Sequence, residues 1–160
     1  MKITILAVGK IKENFYTQAI DEYKKRLSKY CTLNIIEIPD EKTPDHASEN
    51  VETQIKKKEA TRILKYCKEN DGYTIALAID GQTPDSIQLA NQIETLGIHG
   101  NSHIIFVIGG SLGLATEVLN IADEKLSFSN MTFPHQLMRV ILLEQVYRSY
   151  RIINKEPYHK

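Results

Sequence analysis

The stretch HIIFVIGGSLGL, residues 103–114, decides the fold class. Its first half is a short apolar run rich in Ile, which is typical of a strand that is buried on both faces of a sheet. Its second half begins with two glycines, which allow a tight turn and let a ligand approach the backbone. The stretch therefore predicts a central strand over residues 103–108 whose carboxyl end opens onto a glycine-rich turn.

Strands and helices alternate along the rest of the chain. Apolar runs bounded by turn residues predict four further strands, at residues 2–9, 33–38, 73–79 and 125–129. Apolar residues at helical spacing predict helices at about residues 15–30, 51–70, 84–97, 116–122 and 135–153. This alternation favours an α/β domain with a mainly parallel sheet flanked by helices. We expect residues 1–160 to form a single domain, because no linker, repeat or low-complexity tract interrupts them.

Local signals predict where several elements begin and end. Asp80-Gly81 is expected to turn the strand at residues 73–79 into a helix, with Thr83 as its N-cap and Pro84 in its first position. Gly97 is expected to end that helix. In the first helix, a buried stripe is predicted from the residues that recur every four positions, Phe15, Ala19, Tyr23 and Leu27.

The composition is that of a globular protein, with 42% hydrophobic and 25% charged residues. The formal net charge of zero hides an uneven distribution. Lys and Arg outnumber Asp and Glu by 14 to 11 in residues 1–70 and by 5 to 2 in residues 134–160, but are outnumbered by 7 to 1 in between. A polyanion would be attracted to the two ends of the chain, although ordinary solvated faces are the simpler explanation.

The cysteines and the N-terminus indicate a cellular compartment. Cys31 and Cys67 lie far apart, outside any metal-ligand spacing, so we expect two buried free thiols in a reducing environment and no metal site. The apolar run at residues 3–9 is too short for a signal peptide, and no stretch approaches the roughly 20 residues of a membrane span. These observations predict a cytoplasmic protein without a membrane partner.

The last predicted helix is apolar around almost its whole circumference, which requires cover on several sides. In a chain of 160 residues, a partner subunit can provide one of those sides, so we predict a homodimer built on this helix. The alternative is a helix threaded through the core of its own chain. The apolar residues are Leu137, Met138, Val140, Ile141, Leu142, Leu143, Val146, Tyr147 and Tyr150.

Two features suggest ligands, although neither is specific alone. The glycine turn matches neither the dinucleotide-binding nor the phosphate-loop pattern, so it indicates either a ligand site or merely a tight turn. Cationic and aromatic residues cluster in the last helix and in the tail that follows it, residues 154–160. There they could hold a phosphate backbone and stack a base. They are His135 and Arg139, which share a helix face, Arg148, Arg151, Lys155, Tyr158, His159 and Lys160.

Two segments of the sequence resemble those of a known protein family. IGGSLGL at residues 108–114 and LSFSNMTFPHQLMRVILLEQVYRSYRIINKEPYHK at residues 126–160 closely resemble the ribosomal large-subunit methyltransferase H family, and the resemblance extends from MKITILAVGK onward. That family belongs to the SPOUT superfamily of α/β proteins, which carry a deep trefoil knot near the C-terminus. The resemblance implies transfer of a methyl group from S-adenosylmethionine to N3 of a pseudouridine in 23S rRNA of the assembled ribosome.

The resemblance also implies site residues. The S-adenosylmethionine pocket would comprise Leu77, Gly109, Phe128, Ser129, Asn130, Met131, Thr132 and Phe133. Arg148, Arg151, Tyr158 and Lys160 would hold rRNA, beside the pocket of the other subunit. The family pattern often has an acidic residue where this chain has Ala78, and Asp80 would point to the same side of a strand, which leaves a role for that carboxylate open.

The chemistry suggests roles for three residues. An imide nitrogen between two carbonyls is a poor nucleophile until it loses its proton, so a base and a stabiliser of negative charge are needed. We hypothesise that Arg139 stabilises charge on a carbonyl oxygen and that His135 or His159 helps to remove the proton.

Two rival functions are open from the sequence. One is a ribosome-associated binding protein without catalysis, which would use the same basic ends and a nucleotide-sensing pocket. The other is a flavin or nicotinamide oxidoreductase, which the late position of the glycine turn disfavours. Calorimetry with S-adenosylmethionine and S-adenosylhomocysteine tests the first rival, and a coloured preparation or cofactor-induced absorbance would indicate the second.

Overall fold

The computed structural model describes all 160 residues and contains ten alternating elements. They are β1 (Lys2–Val8), α1 (Asn14–Leu27), β2 (Thr32–Ile38), α2 (Glu49–Glu69), β3 (Tyr73–Gln82), α3 (Ser86–Ile98), β4 (His103–Ile108), α4 (Thr116–Ile121), β5 (Glu124–Leu126) and α5 (His135–Ile153). All strands pair in parallel, in the order β2-β1-β4-β3-β5. The predicted α/β class and the central position of the strand at residues 103–108 are confirmed.

Helices cover both faces of the sheet. On one face α1, α3 and α5 pack over the larger core cluster, which includes Leu27, Ile93, Phe106 and Leu142. On the other face α2 and α4 pack over a smaller cluster. This arrangement explains why β1 and β4 are apolar on both sides, since each of their faces meets a helix layer. Because all strands are parallel, their carboxyl ends lie at one edge of the sheet.

A bulge interrupts the pairing of β3 with β5 at that carboxyl edge. Leu77 and Gln82 are both in register with Leu126, so the residues between them leave the ladder. Asp80-Gly81 was predicted as the turn after this strand, but it lies inside the strand. The pairing of β3 with β5 resumes at Gln82. A bulge re-aims side chains at the edge of a sheet, and this one places residues 78–80 beside a pocket of about 800 Å³.

Several predicted boundaries are wrong by a few residues. Asp85, rather than Thr83, caps α3 through a capping box with Gln88, so that Pro84 lies before the helix. Gly97 lies inside α3, which continues to Ile98. The fifth strand ends at Leu126 and not at residue 129.

The predicted stripe of α1 is only partly correct. Leu27 is buried and Tyr23 packs against the core, but the side chain of Phe15 is 62% exposed and contacts the ring of Tyr16 at 4.4 Å between centroids. Phe15 lies in the first turn of α1, and its ring stays largely in solvent. A regular spacing therefore identified the helix but overestimated how far its apolar face is covered.

The last helix is covered largely by its own chain. Leu142, Leu143, Val146 and Tyr150 are buried where α5 packs against α1 and α3. Other apolar residues on α5 are only half-buried, namely Leu137, Met138, Val140, Ile141, Ile152 and Ile153. Intramolecular packing thus accounts for part of the apolar circumference and leaves a partly exposed apolar face.

Both cysteines are free and half-buried, and burial raises the pKa of the Cys31 thiol to about 11. As to membranes, none of the helices combines the length and the apolar character that a span would need.

The bulge yields a test of the fold. A Cβ atom added to Gly81 would lie 2.7 Å from the backbone nitrogen of Leu126, and backbone cannot move aside as a flexible side chain can. We expect Gly81→Ala to lower the free energy of unfolding by about 1–3 kcal/mol in urea denaturation, a cost typical of overpacking. Gly97→Ala is the matched control: it lies within a helix and meets only the end of the Met1 side chain at 3.2 Å, so it should not destabilise. Equal stability of the two variants would contradict the bulge geometry.

Candidate functional site

A pocket of about 800 Å³ opens at the carboxyl edge of the sheet. It lies where the ends of β3, β4 and β5 meet the start of α5, which is the usual place for a ligand in an open α/β sheet. Four stretches line it, with one side chain from α4: residues 77–80, residues 108–114, Leu119, residues 126–129 and residues 131–135 with Met138. Twelve of its 22 lining residues are hydrophobic, so it suits a ligand with an apolar body and a few polar groups.

The glycine turn after β4 forms one wall of the pocket. Its N–H at Gly113 donates to the carbonyl of Gly110 at 3.1 Å, and Gly113 has a φ of +81°, which favours glycine. A Cβ on Gly109 would lie 2.8 Å from the carbonyl carbon of Gly113, so the turn closes only without one. These contacts explain why glycine is required at residues 109 and 113 for the turn to form. Because the turn lies beside the pocket, its backbone is also available to a ligand.

The segment between β5 and α5 forms the opposite wall. The hydroxyl of Ser127 donates to the carbonyl of Ser129 at 3.1 Å, and the N–H of Met131 donates to the hydroxyl of Ser129 at 2.9 Å. These bonds hold the segment in a curved path over the pocket. Phe128 packs against the core, whereas the side chain of Met131 is 74% exposed at the rim.

Seven of the eight predicted cofactor residues line this one pocket. They are Leu77, Gly109, Phe128, Ser129, Met131, Thr132 and Phe133. Asn130 is exposed and lies outside the lining. Ala78 and Asp80 both line the pocket, and the carboxylate of Asp80 is 75% exposed and 4.0 Å from the ammonium of Lys125. The pocket therefore offers apolar faces and backbone polar groups to a ligand, with one solvated carboxylate at its rim.

His135 lies in the wall formed by the start of α5. Its ring packs against Gly9, where a Cβ would lie 3.1 Å from Cε1 of the imidazole, and its buried Nδ1 makes no hydrogen bond within the chain. Burial, and then the positive charge of Arg139, lowers the pKa of His135 below its usual value. A neutral imidazole in a pocket wall can accept a proton from a ligand.

Arg139 lies beneath His135 and outside the pocket lining. Only 1% of it is exposed, and its guanidinium donates to Glu37 at 2.8 Å and to the carbonyl of Gly9 at 3.3 Å. The shared helix face predicted for His135 and Arg139 is present. In this conformation the guanidinium holds the ends of β1 and β2 rather than facing the pocket.

The tail lies at the other end of α5, against its own chain. Arg148 donates to Glu144 at 2.7 Å and to Nδ1 of His159 at 3.2 Å, and its guanidinium is 4.7 Å from the centre of the Tyr158 ring. Burial, followed by the hydrogen bond to Glu144, raises the pKa of Tyr158 to about 12.

The last two predicted RNA-binding residues are also at this end. Arg151 binds Glu156 and donates to the hydroxyl of Tyr30 at 3.1 Å, while Lys160 is exposed. Tyr30 precedes β2, so this cluster lies at the amino edge of the sheet. The structure therefore brings Arg148, Arg151, Tyr158 and His159 together, and separates them from the pocket of the same chain.

Glu59 is not among the predicted site residues, yet this acidic residue is 5% exposed and lies against the glycine turn. The sequence pattern could have predicted its burial. Glu59 lies four residues after Ile55 and four before Ile63, and thus on the buried face of α2. No group of three or more His, Cys, Asp or Glu residues is arranged to hold a metal ion.

Comparisons with known proteins agree with this geometry. The family described as "Predicted SPOUT methyltransferase" matches residues 1–159. The chain is 62% identical to the Ribosomal RNA large subunit methyltransferase H of Clostridium novyi and 59% identical to that of Bifidobacterium adolescentis, in each case over 160 residues and the whole of both chains.

Solved structures share the fold at low identity. The tRNA (m1G37) methyltransferase of Aquifex aeolicus superposes with a TM-score of 0.61 at 14% identity, over 100% of this chain and 75% of that one. A Legionella pneumophila protein solved with bound cofactor SAM superposes with a TM-score of 0.51 at 11% identity, over 93% of this chain and 66% of that one. With a full-length family match and full-length relatives at about 60% identity, the chain belongs to the SPOUT methyltransferases, and among them to the ribosomal RNA large subunit methyltransferase H family.

Proposed function

We propose that this chain transfers a methyl group from S-adenosylmethionine to N3 of a pseudouridine in 23S rRNA of the assembled ribosome. The observation that carries the proposal is the coincidence of seven family-implied cofactor residues in one pocket, with His135 in its wall. The full-length relatives named as rRNA large subunit methyltransferases support the RNA substrate. We further propose that residues 1–160 form one cytoplasmic SPOUT domain with a trefoil knot near its C-terminus.

The residues around the pocket have distinct tasks in this proposal. The faces of Leu77, Met131 and Phe133 enclose the adenine of S-adenosylmethionine, and the backbone of the glycine turn and of residues 128–132 reads its polar atoms. When bound, the cofactor supplies a methyl group on a sulfonium, which is its own leaving group. The protein then has to align the acceptor and move one proton.

His135 is the residue that we propose for the proton. It lines the pocket, and the lowered pKa keeps its imidazole neutral, which is the form that can accept the imide proton. Arg139 supports His135 by donating a hydrogen bond to the carbonyl of Gly9, against which the imidazole packs. Arg139 can also stabilise negative charge on the acceptor carbonyl, but only if its guanidinium turns from Glu37 towards the pocket. His159 is the alternative base, and it would have to come from a second chain.

The geometry of α5 supports a homodimer. The helix has 19 residues and is therefore about 28 Å long, with the pocket at its start and the tail beyond its end. Arg148, Arg151, Tyr158 and Lys160 are too far away to serve the pocket of their own chain, but an antiparallel partner helix would bring the partner's tail to it. The half-buried Leu137, Val140 and Ile141 provide an apolar face for that contact.

The substrate assignment is tested by mapping modified nucleosides. We expect 23S rRNA from cells lacking the gene to lose one methylated pseudouridine by mass spectrometry, and expression of the chain to restore it. Calorimetry with the purified protein should show that S-adenosylmethionine and S-adenosylhomocysteine both bind. Binding without any change in rRNA would favour the non-catalytic alternative, whereas absence of binding would reject the proposal.

The role of His135 predicts a pH dependence. Deprotonation of the base activates it, and its lowered pKa moves the acid limb of the rate profile below pH about 6.5, the ordinary histidine value. His135→Gln should lower kcat roughly 10²- to 10⁴-fold, remove that limb and leave S-adenosylmethionine affinity within a few-fold. His99→Gln, at the exposed end of α3, is the matched control and should behave as wild type. If the pH–rate profile of His135→Gln is the same as that of the wild type, His135 is not the general base and His159 becomes the candidate.

The shared site predicts complementation between two inactive chains. Deletion of residues 158–160 should abolish methylation of ribosomes without unfolding the protein, because Tyr158 contributes only a peripheral contact to the core. Gly109→Val should abolish it by disrupting the glycine turn that forms one wall of the pocket, because its Cβ would lie 2.8 Å from the carbonyl carbon of Gly113. A mixed dimer would contain one intact pocket facing one intact tail, so co-expression should restore up to about half of the activity per dimer. Activity that stays absent in a verified mixed dimer would contradict a pocket completed by the partner's tail.

A further inference from the structure

Glu59 is a buried carboxylate that the proposed mechanism does not use. It lies on the inner face of α2, where 5% of the residue is exposed, and its neighbours on that face are Ile55 and Ile63. A buried carboxylate costs free energy unless it gains compensating interactions, so its position calls for a physical reason.

The contacts of Glu59 place it directly behind the glycine turn. Its Oε2 accepts the N–H of Glu41 at 3.0 Å. Both carboxylate oxygens lie 3.3 Å from the position that a Cβ on Gly110 would occupy, and Gly110 itself lines the pocket. A single layer of backbone therefore separates this carboxylate from the ligand.

The charge of Glu59 is not neutralised by an ion pair. Arg62, on the same helix, donates instead to the carbonyl of Pro39 and to Glu41. Burial raises the pKa of Glu59, and the hydrogen bond from Glu41 opposes that rise. In a medium of low dielectric, the field of such a carboxylate extends into the neighbouring pocket with little screening.

The proposed reaction converts a cation into a neutral product at this pocket. S-adenosylmethionine carries a sulfonium charge, and S-adenosylhomocysteine lacks it and is otherwise almost the same molecule. Building on the proposed function, we infer that Glu59, held behind Gly110, makes the pocket prefer the positively charged methyl donor to its neutral product. Glu59 touches neither molecule and is thus a residue that sets specificity through its charge.

Asp80 is the other carboxylate near the pocket, but it is poorly suited to this task. Its side chain is 75% exposed, and the ammonium of Lys125 lies 4.0 Å away. Water and the lysine therefore screen its charge, as they do for most surface carboxylates.

The test compares the affinities of donor and product by calorimetry at pH about 8, far above the ordinary pKa of a glutamate. Glu59→Gln retains an oxygen that can accept the Glu41 N–H but removes the charge. We expect the ratio of S-adenosylmethionine to S-adenosylhomocysteine affinity to fall roughly five- to tenfold, with the affinity for S-adenosylhomocysteine unchanged. Glu117→Gln, on the exposed first turn of α4, is the matched control and should leave the ratio as in wild type.

A second variant separates charge from shape. Glu59→Asp keeps the charge, so its ratio should stay within twofold of wild type. An equal loss of both affinities in Glu59→Gln, or a fall in Glu59→Asp as large as in Glu59→Gln, would show a purely structural role and overturn the inference. If Asp80→Asn rather than Glu59→Gln lowers the ratio, the preference resides in the rim carboxylate and the inference is again wrong. A wild-type protein that binds neither molecule would instead refute the proposed function.

Discussion

The buried guanidinium of Arg139 joins the elements that form the pocket. A charge that is 1% exposed is tolerated only when it is paired and hydrogen-bonded, and Arg139 meets this requirement with Glu37 at the end of β2 and the carbonyl of Gly9 at the end of β1. Both partners lie at the carboxyl edge of the sheet, so the bond fixes the first turns of α5 to that edge. His135, one turn earlier, is thereby pressed against Gly9 and into the pocket wall.

Once α5 is fixed in this way, its length determines the rest of the arrangement. A straight helix cannot bring both of its ends to one edge of a sheet, so the tail residues reach the amino edge, where Arg151 contacts Tyr30. The basic and aromatic residues that suit RNA are thus separated from the pocket that suits the cofactor. This separation is the physical reason for proposing that two chains complete each other's sites, and it needs no movement of the tail.

Much of the fold could be predicted from the sequence, because parallel strands buried on both faces and regular helices leave strong periodic signals. The limits of β4 and α5 were predicted to the residue. The bulge at Asp80-Gly81 could not be, since it depends on how β3 approaches Leu126 about 45 positions later. The cofactor residues came from family resemblance, whereas their common pocket follows from the topology. The pairing of Arg139 with Glu37 joins residues 102 positions apart, and no local pattern reports such a contact.

Two buried side chains of opposite charge, Arg139 and Glu59, lie on opposite faces of the sheet at its carboxyl edge, where the reaction is proposed to occur. Arg139 approaches the end of β1 from the α5 face, and Glu59 approaches the glycine turn after β4 from the α2 face. β1 and β4 are neighbours, so a buried cation and a buried anion lie on opposite sides of adjacent strand ends. Burial, and then the positive charge of Arg139, lowers the pKa of the nearby imidazole, while the carboxylate of Glu59 is the group that we infer to favour a positive charge in the pocket. A sheet with helices on both faces can thus hold a buried cation and a buried anion beside one pocket without placing an ion pair inside it.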